Sequence, residues 1–257
     1  MEIIILPSYK EVNKEVTKRV TSIIKKKPDS VLGLATGRTM LGVYRSLVEA
    51  YKENKINFSA TTTFNLDEYI GFPPGNPITF YSYMQENLFN HININPKNIF
   101  IPPSMPGNIE KDCRLYEEMI EKKGGIDLQL LGLGQEGHIG FNEPSSSLQA
   151  RTRVKTLTEE TLRDNFGSTK GPRFTLTMGI GTIMEAREII LVALGEEKAR
   201  PIADAVEGPV TASCPASALQ FHPQAKIIID EEAGSLLKRK DYYKWVWEHK
   251  SEVENLE

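Results

Sequence analysis

Apolar residues in this chain fall into short continuous runs, and polar or glycine-rich loops follow them. The clearest runs are EIIIL (2–6), SVLGLA (30–35), TTTFNL (61–66), IDLQLLGL (126–133), EIILVAL (188–194) and AKIII (225–229). Each run has the length of a strand. Continuous apolar runs are typical of strands that helices cover on both faces, rather than strands with one face in water.

Helical patterns follow several of these runs. After the run 30–35, apolar residues repeat at helical spacing at Met40, Val43, Tyr44, Leu47 and Val48. A further helix is expected from about residue 197 to 206. Strands that alternate with helices favour βαβ units and a parallel sheet. The sequence therefore predicts one α/β domain over residues 1–257, a single doubly wound, mostly parallel sheet with helices on both faces.

One polar stretch interrupts this alternation. Residues 158–173 are mostly polar and include GSTKGPR. A long polar segment of this kind predicts either a mobile lid over a site or a plain surface loop, and its composition does not decide between them.

Composition and charge restrict the function classes. The chain has 257 residues, 25% of them charged, a formal net charge of −3 and two cysteines. The absence of a basic surplus argues against a nucleic-acid or membrane partner but allows a local pocket for a small anion. Two cysteines without metal-type spacing indicate a reducing cytoplasm, and the scattered histidines give no reason to expect a metal site.

Ligands of open parallel sheets bind beyond the carboxyl ends of the strands, so the loops there are the candidate site. The run 30–35 ends at Ala35, and Thr36, Gly37, Arg38 and Thr39 follow it. A glycine-containing turn into a helix offers backbone N–H groups to an anion, and hydroxyl and guanidinium groups add to them. The alternative is a simple βα turn with a threonine cap.

Two further strand ends carry acid–base groups. Asp67 follows the run 61–66, and a carboxylate just past a buried strand can act as a base or merely cap the next segment. The segment GLGQEGHIGFNEP (132–144) combines several glycines with Glu136, His138 and Glu143. Carboxylates beside an imidazole can hold its tautomer and tune its basicity, so this loop predicts acid–base chemistry.

Together these segments resemble the glucosamine-6-phosphate deaminase family, also called glucosamine-6-phosphate isomerases. The resemblance covers nearly the whole chain and is carried by LGLATGRT, FNLDEY, LLGLGQEGHIGFNEPSSSLQARTRVKTLT and LQFHPQAKIIIDEEA. It implies a Rossmann-like fold of the sugar-phosphate isomerase and lactonase type. It also implies a cofactor-free conversion of glucosamine 6-phosphate and water into fructose 6-phosphate and ammonia.

The resemblance assigns roles to the candidate residues. Asp67 would move a proton between C2 and C1 of the sugar. His138 would open the sugar ring, assisted by Glu136 and Glu143. The phosphate would lie on residues 35–39, with Lys198 as a further cation.

The family's regulated members are hexamers that bind N-acetylglucosamine 6-phosphate at a subunit interface. The resemblance therefore implies a homohexamer and an effector site here, unless the segment is a solvated basic strand. The matching positions are Ser146, Arg153, Lys155 and Thr156.

The chain departs from the family pattern in three places. It has Glu136 for an aspartate or asparagine, TGRTM for TGGTP, and residues 165–167 (NFG) for an arginine-containing ARFF-like segment. We hypothesise that Arg38 replaces that missing arginine. The segments KPD, KGGIDL and PAS are shared with relatives that act on galactosamine 6-phosphate, which makes this C4 epimer the alternative substrate. A non-catalytic sugar-phosphate sensor and a lactonase-like hydrolase are further alternatives.

Overall fold

The computed structural model describes residues 1–254, so the last three residues of the predicted 1–257 domain lie outside it. Its strands are β1 (Glu2–Leu6), β2 (Val31–Leu34), β3 (Thr62–Asn65), β4 (Asp67–Tyr69), β5 (Ile99–Phe100), β6 (Leu128–Leu131), β7 (Arg153–Thr156), β8 (Phe174–Thr177), β9 (Glu188–Ala193) and β10 (Ala225–Asp230). Its α-helices are α1 (Tyr9–Lys26), α2 (Arg38–Lys52), α3 (Phe80–Asn87), α4 (Ile109–Lys122), α5 (Glu159–Phe166), α6 (Ile180–Met184), α7 (Ala199–Glu207), α8 (Lys240–Glu248) and α9 (Lys250–Glu254). Short 3-10 helices occupy Phe89–His91, Pro96–Asn98, Glu196–Lys198 and Pro215–Phe221.

The main sheet of the described chain has seven strands in the order β1-β10-β9-β6-β2-β3-β5, and neighbouring strands are parallel. The chain runs outward from β2 through β3 to β5, then returns to place β6 on the other side of β2. This reversal opens a crevice at the carboxyl ends of β2 and β6, where ligands bind in sheets of this type. The predicted doubly wound α/β fold is confirmed.

The continuous apolar runs are the buried strands of this sheet. Every residue of β2, β3, β6 and β10 is buried. Helices cover both faces, which is why the strands lack an alternating polar side. The observed strands stop two or fewer residues short of several predicted ends, because the last residues of those runs already belong to the loops of the crevice.

A second sheet was not predicted from the sequence. Three antiparallel strands, β4-β8-β7, form it, with Asp67 opposite Thr177. The apolar run 61–66 predicts a strand that ends before Asp67, whereas the structure begins a new strand there. A strand of three residues is too short to show a pattern of its own, so its pairing with β8 decides its conformation.

The expectation of a plain surface loop at residues 158–173 is wrong, because helix α5 lies within it. Thr158 caps the helix by accepting a hydrogen bond from the backbone N–H of Thr161, and Gly167 ends it at a φ of +67°. A threonine cap at the start and a left-handed glycine at the end are typical helix boundaries. No helix in residues 1–254 has the length and apolar character needed to cross a membrane.

Glu117 of α4 joins the second sheet to the rest of the fold. Its carboxylate accepts hydrogen bonds from Thr152 N (2.7 Å), Thr182 Oγ1 (2.6 Å) and Arg151 Nη2 (2.5 Å). Burial by itself would raise the pKa of Glu117, but the hydrogen bonds from Thr152 and Thr182 and the charge of Arg151 outweigh it and lower the pKa.

We expect Glu117→Gln to lower the free energy of unfolding by about 1–3 kcal/mol at neutral pH, because the donors of Arg151, Thr152 and Thr182 lose a charged acceptor. A depressed folded-state pKa stabilises the protein above the unfolded pKa of about 4.3, and that contribution disappears as pH falls through the folded value. Denaturant unfolding at pH 7 and near pH 3 checks this. Glu118→Gln, at a partly exposed neighbour on α4, is the control, and an equal loss at both pH values would contradict the prediction.

Candidate functional site

A cavity of about 180 Å³ lies at the crevice between the carboxyl ends of β2 and β6. Loops after β2, β3 and β6, helix α5 and the segment before α7 all contribute to its wall. The lining residues are Ala35, Thr36, Gly37, Arg38, Thr39, Leu66, Asp67, Phe80, Gly132, Leu133, Gly134, Gln135, His138, Gly140, Phe141, Thr161, Asp164, Asn165, Glu197 and Lys198. The structure thus brings residues 35–39, Asp67, His138 and Lys198 together, as the sequence predicts.

The turn after β2 directs the N-terminus of α2 into this cavity. Gly37 has a φ of +105°, a conformation that side chains with a Cβ rarely adopt, and no side chain caps the helix. Tyr83 Oη donates to the carbonyl of Gly37 at 2.8 Å, and Tyr44 Oη donates to the carbonyl of Ala35. These bonds hold the turn while leaving N–H groups at the helix start open to an anion.

Two cations line the cavity beside this turn. Arg38 begins α2, and Lys198 ends the short helix before α7 with its side chain 13% exposed. Burial lowers the pKa of Lys198, and the positive charge of Arg38 lowers it further. Two cations near an uncapped helix N-terminus favour a dianionic group such as a phosphate ester.

Asp67 lines the same cavity from the start of β4. Its side chain is buried, and burial raises its pKa well above the ordinary value, with the charge of Glu68 adding to the effect. Gly140 lets the loop after β6 approach, since a Cβ there would lie 3.7 Å from Asp67 Oδ2 and 3.0 Å from Thr177 Oγ1. A carboxylate with a raised pKa is suited to accept and return a proton near neutral pH.

The neighbouring carboxylate, Glu68, holds the start of α3 and does not line the cavity. It accepts hydrogen bonds from the backbone N–H groups of Tyr69 (2.7 Å), Phe80 (2.9 Å) and Tyr81 (2.8 Å). Two of these donors are at the N-terminus of α3, which carries positive partial charge. Alternation along β4 therefore separates the two acids: Asp67 lines the cavity, whereas Glu68 fixes α3.

His138 is the imidazole of the cavity wall. Its ring occupies the space where a side chain at residue 134 would start, since a Cβ on Gly134 would be 2.1 Å from the ring. Burial lowers the pKa of His138, the charge of Glu143 partly offsets this, and Lys198 lowers it further. Its Nδ1 atom is buried without a hydrogen-bond partner among residues 1–254. A largely neutral imidazole results, which is suited to accept a proton from a hydroxyl group.

Glu143 lies behind the cavity wall. Its Oε1 atom accepts hydrogen bonds from Thr158 N (3.2 Å), Thr158 Oγ1 (3.3 Å) and Thr161 Oγ1 (2.7 Å). The carboxylate thus holds the first turn of α5, while its charge still acts on His138.

The expectation for Glu136 is corrected by its position. The residue is exposed and does not line the cavity. It lies in a turn that a hydrogen bond from Gly134 N to the carbonyl of His138 (2.9 Å) closes, and Gln135 of the same turn does line the cavity. The carboxylate with the largest effect on the pKa of His138 is Glu143, and Asp164 has a smaller effect in the same direction.

The four residues matched to an effector site do not all face one way. Arg153 and Lys155 are half-buried on one side of β7, and Thr156 is exposed on the other, as strand alternation requires. Ser146 is buried, with its Oγ unpartnered among the described residues. Arg153 Nη1 donates to Asn142 Oδ1 at 2.8 Å, which links β7 to the loop after β6.

The sequence predicts a lid or a plain loop at residues 158–173, but it does not identify the residues that α5 supplies to the site. Thr161, Asp164 and Asn165 line the cavity, and Asn165 Nδ2 donates to Tyr69 Oη at 3.2 Å. The signal was available: Asp164 and Asn165 follow Thr161 by three and four positions, which places them on one face of a helix. In residues 1–254 no three His, Cys, Asp or Glu side chains come together as metal ligands would.

Comparison with known proteins gives the family. Residues 8–228 match the family described as glucosamine-6-phosphate isomerases/6-phosphogluconolactonase. Glucosamine-6-phosphate deaminase of Thermoanaerobacter pseudethanolicus is 49% identical over 245 residues, which are 94% of this chain and 97% of that protein. The deaminase of Halothermothrix orenii is 50% identical over 241 residues, 92% of this chain and 100% of that protein.

Solved structures of similar fold include a relative from the same family. A monomeric glucosamine-6-phosphate deaminase has a TM-score of 0.89 at 40% identity and covers 92% of this chain and 100% of its own. The 6-phosphogluconolactonase of Trypanosoma cruzi has a TM-score of 0.74 at 20% identity, covers 92% of this chain and 97% of its own, and shows the shared fold alone. The chain therefore belongs to the glucosamine-6-phosphate isomerase/6-phosphogluconolactonase family, which confirms the resemblance seen in the sequence.

Proposed function

We propose that this protein deaminates glucosamine 6-phosphate, giving fructose 6-phosphate and ammonia. The observation that carries the proposal is the arrangement of one cavity, which combines an anion site with the acid–base groups Asp67 and His138. A phosphosugar has matching parts, a phosphate at C6 and the reacting carbons C1 and C2. The names of the relatives at about half identity support the gluco substrate, and they do not favour the galactosamine alternative.

The chemistry follows from these positions. His138 accepts the O1 proton and returns a proton to the ring oxygen, which opens the ring to the aldehyde. Asp67 then takes the proton from C2 while O1 gains a proton, which gives an enol. Asp67 delivers its proton to C1 and the amine nitrogen loses a proton, equal to the one gained by O1, so the C2–N bond becomes an imine. Water adds to that imine and ammonia leaves C2, which produces the ketone. The phosphate lies on the start of α2 with Arg38 and Lys198, and its binding holds C1 and C2 against the acid–base pair.

The direct test measures ammonia released from glucosamine 6-phosphate and, separately, from galactosamine 6-phosphate. We expect release from the gluco substrate at a higher kcat/KM. Release from the galacto epimer alone would replace the proposed substrate, and release from neither would remove the enzymatic function and leave a sugar-phosphate sensor.

Arg38 supplies a guanidinium that α5 does not. The arginine in α5, Arg163, pairs with Glu159 at 2.7 Å and is absent from the cavity wall. We expect Arg38→Ala to raise KM by about 10- to 100-fold with little change in kcat, because a charge-assisted hydrogen bond is worth about 1.5–3 kcal/mol. Steady-state kinetics check this, with Arg45→Ala, exposed on the same helix outside the cavity, as control. An unchanged KM would contradict the role of Arg38.

We further propose a cytoplasmic homohexamer that binds N-acetylglucosamine 6-phosphate through the half-buried cations of β7 and Ser146. The half-buried guanidinium of Arg153 supports an anion site, since burial lowers its pKa and an anion would offset that cost. The monomeric relative shows that deaminases of this family also occur without assembly. Sedimentation of the protein with and without the effector tests both points, and a monomer insensitive to the effector would reject them.

A further inference from the structure

Helix α5 is connected to the acid–base centre through one buried carboxylate. The side chain of Glu143 accepts hydrogen bonds at Oε1 alone among the described residues, and all the donors belong to Thr158 and Thr161. The shortest, 2.7 Å, comes from Thr161 Oγ1 and is buried. The two bonds from Thr158 are longer, at 3.2 and 3.3 Å.

The charge of Glu143 also acts on the ring of His138, which has a buried nitrogen without a hydrogen-bond partner among the described residues. His138 Nδ1 is buried without a partner among residues 1–254, and Glu143 is the carboxylate with the largest influence on that ring. An imidazole whose second nitrogen is held by a carboxylate keeps one tautomer and gains basicity when it accepts a proton. A carboxylate can do this only while its plane is held in place, because a partial rotation would turn both oxygens away from the imidazole nitrogen.

We propose that Thr161 is a positioning residue for the reaction: its hydroxyl fixes Oε1 of Glu143 on α5 and thereby leaves Oε2 available to Nδ1 of His138. The inference rests on the proposed function for its kinetic consequence. It adds a second role to α5, whose Asp164 and Asn165 line the cavity one turn further along. Docking of α5 and orientation of the imidazole are then a single event, since the same hydrogen bond serves both.

The test compares Thr161→Val, which keeps the shape and removes the hydroxyl, with Thr161→Ser, which keeps the hydroxyl. We expect Thr161→Val to lower kcat about 10- to 100-fold, the cost of misplacing a catalytic group by about 1 Å, with KM within about threefold of wild type. Thr161→Ser should restore most of the loss. A higher KM with unchanged kcat would show that Thr161 acts on substrate directly and would overturn the proposal.

A matched control separates positioning from stability. Thr182 is also buried and donates to a glutamate, Glu117, at 2.6 Å, but it lies outside the cavity. Thr182→Val should lower thermal stability while leaving kcat unchanged. If Thr161→Val behaves in the same way, the role of Thr161 is structural and the proposal fails.

Two further measurements keep the proposal testable. In a Glu143→Gln background, Thr161→Val should cause no further loss of kcat, whereas a full additional loss would contradict a shared pathway. The ¹⁵N–¹H signals of the His138 ring, titrated in the free protein, should shift in Thr161→Val and return in Thr161→Ser. The other charges that act on this ring, Lys198 and Asp164, are the same in both variants. An unshifted titration would reject the positioning role of Thr161, whether or not the wild type releases ammonia. Absence of ammonia release by itself would reject only the proposed function.

Discussion

Asp67→Asn should lower kcat for deamination by about 10³-fold and abolish exchange of the C2 proton with solvent. The amide has the size of the carboxylate but cannot accept the proton, and a positioned base contributes about 10²- to 10⁴-fold. Folding should be retained, because the substitution removes an acid that burial and Glu68 already disfavour in its charged form. Exchange is measured by NMR in D₂O with glucosamine 6-phosphate, and binding by calorimetry.

The control and the pH dependence sharpen this prediction. Asp204→Asn, a surface aspartate paired with Arg200 at 2.8 Å, should leave both rates unchanged. Because the base must be ionised and its pKa is raised, kcat/KM of wild type should still be rising with pH well above the ordinary aspartate value of about 3.9. Calorimetry should show the substrate bound by Asp67→Asn within about tenfold of wild type, since other residues form the anion site. Wild-type exchange rates in Asp67→Asn would assign the proton transfer to another group.

The sequence was sufficient for the parts of the site that stand at the ends of buried parallel strands. Continuous apolar runs mark β2, β3 and β6, and neighbouring parallel strands bring their carboxyl ends to one edge. The sequence pattern alone therefore places residues 35–39, Asp67 and His138 together. In these segments the local pattern and the tertiary arrangement agree.

The remaining features depend on contacts between segments distant in the chain. Asp67 begins a strand only because β8 pairs with it from more than a hundred residues away. Glu136 and Glu143 are both near His138 in the sequence, which suggests equal roles, but one is exposed in the turn at residues 134–138 and the packing of α5 buries the other. Side-chain direction in a glycine-rich loop has no period, so a sequence pattern cannot supply it.

The second large effect is expected at His138. His138→Gln should lower kcat for glucosamine 6-phosphate by about 10²- to 10³-fold, because the imidazole is the group placed to exchange protons with O1 and the ring oxygen. An acyclic analogue that cannot close to the pyranose bypasses that step. We expect the variant to process such an analogue within several-fold of wild type, whereas Asp67→Asn should fail on both compounds.

The opposite responses of the two variants to the two compounds separate ring opening from the proton transfer between C2 and C1. His222→Gln is the matched control, since His222 is buried and both its ring nitrogens contact backbone groups, Ala186 O at 2.8 Å and Gln224 N at 3.1 Å, outside the cavity. That variant should lose stability without losing kcat on either compound. Equal losses of His138→Gln on the cyclic and acyclic compounds would mean that the imidazole serves the later steps. Asp67 and His138 would then both act on C1 and C2, and His138 would not be specific to ring opening.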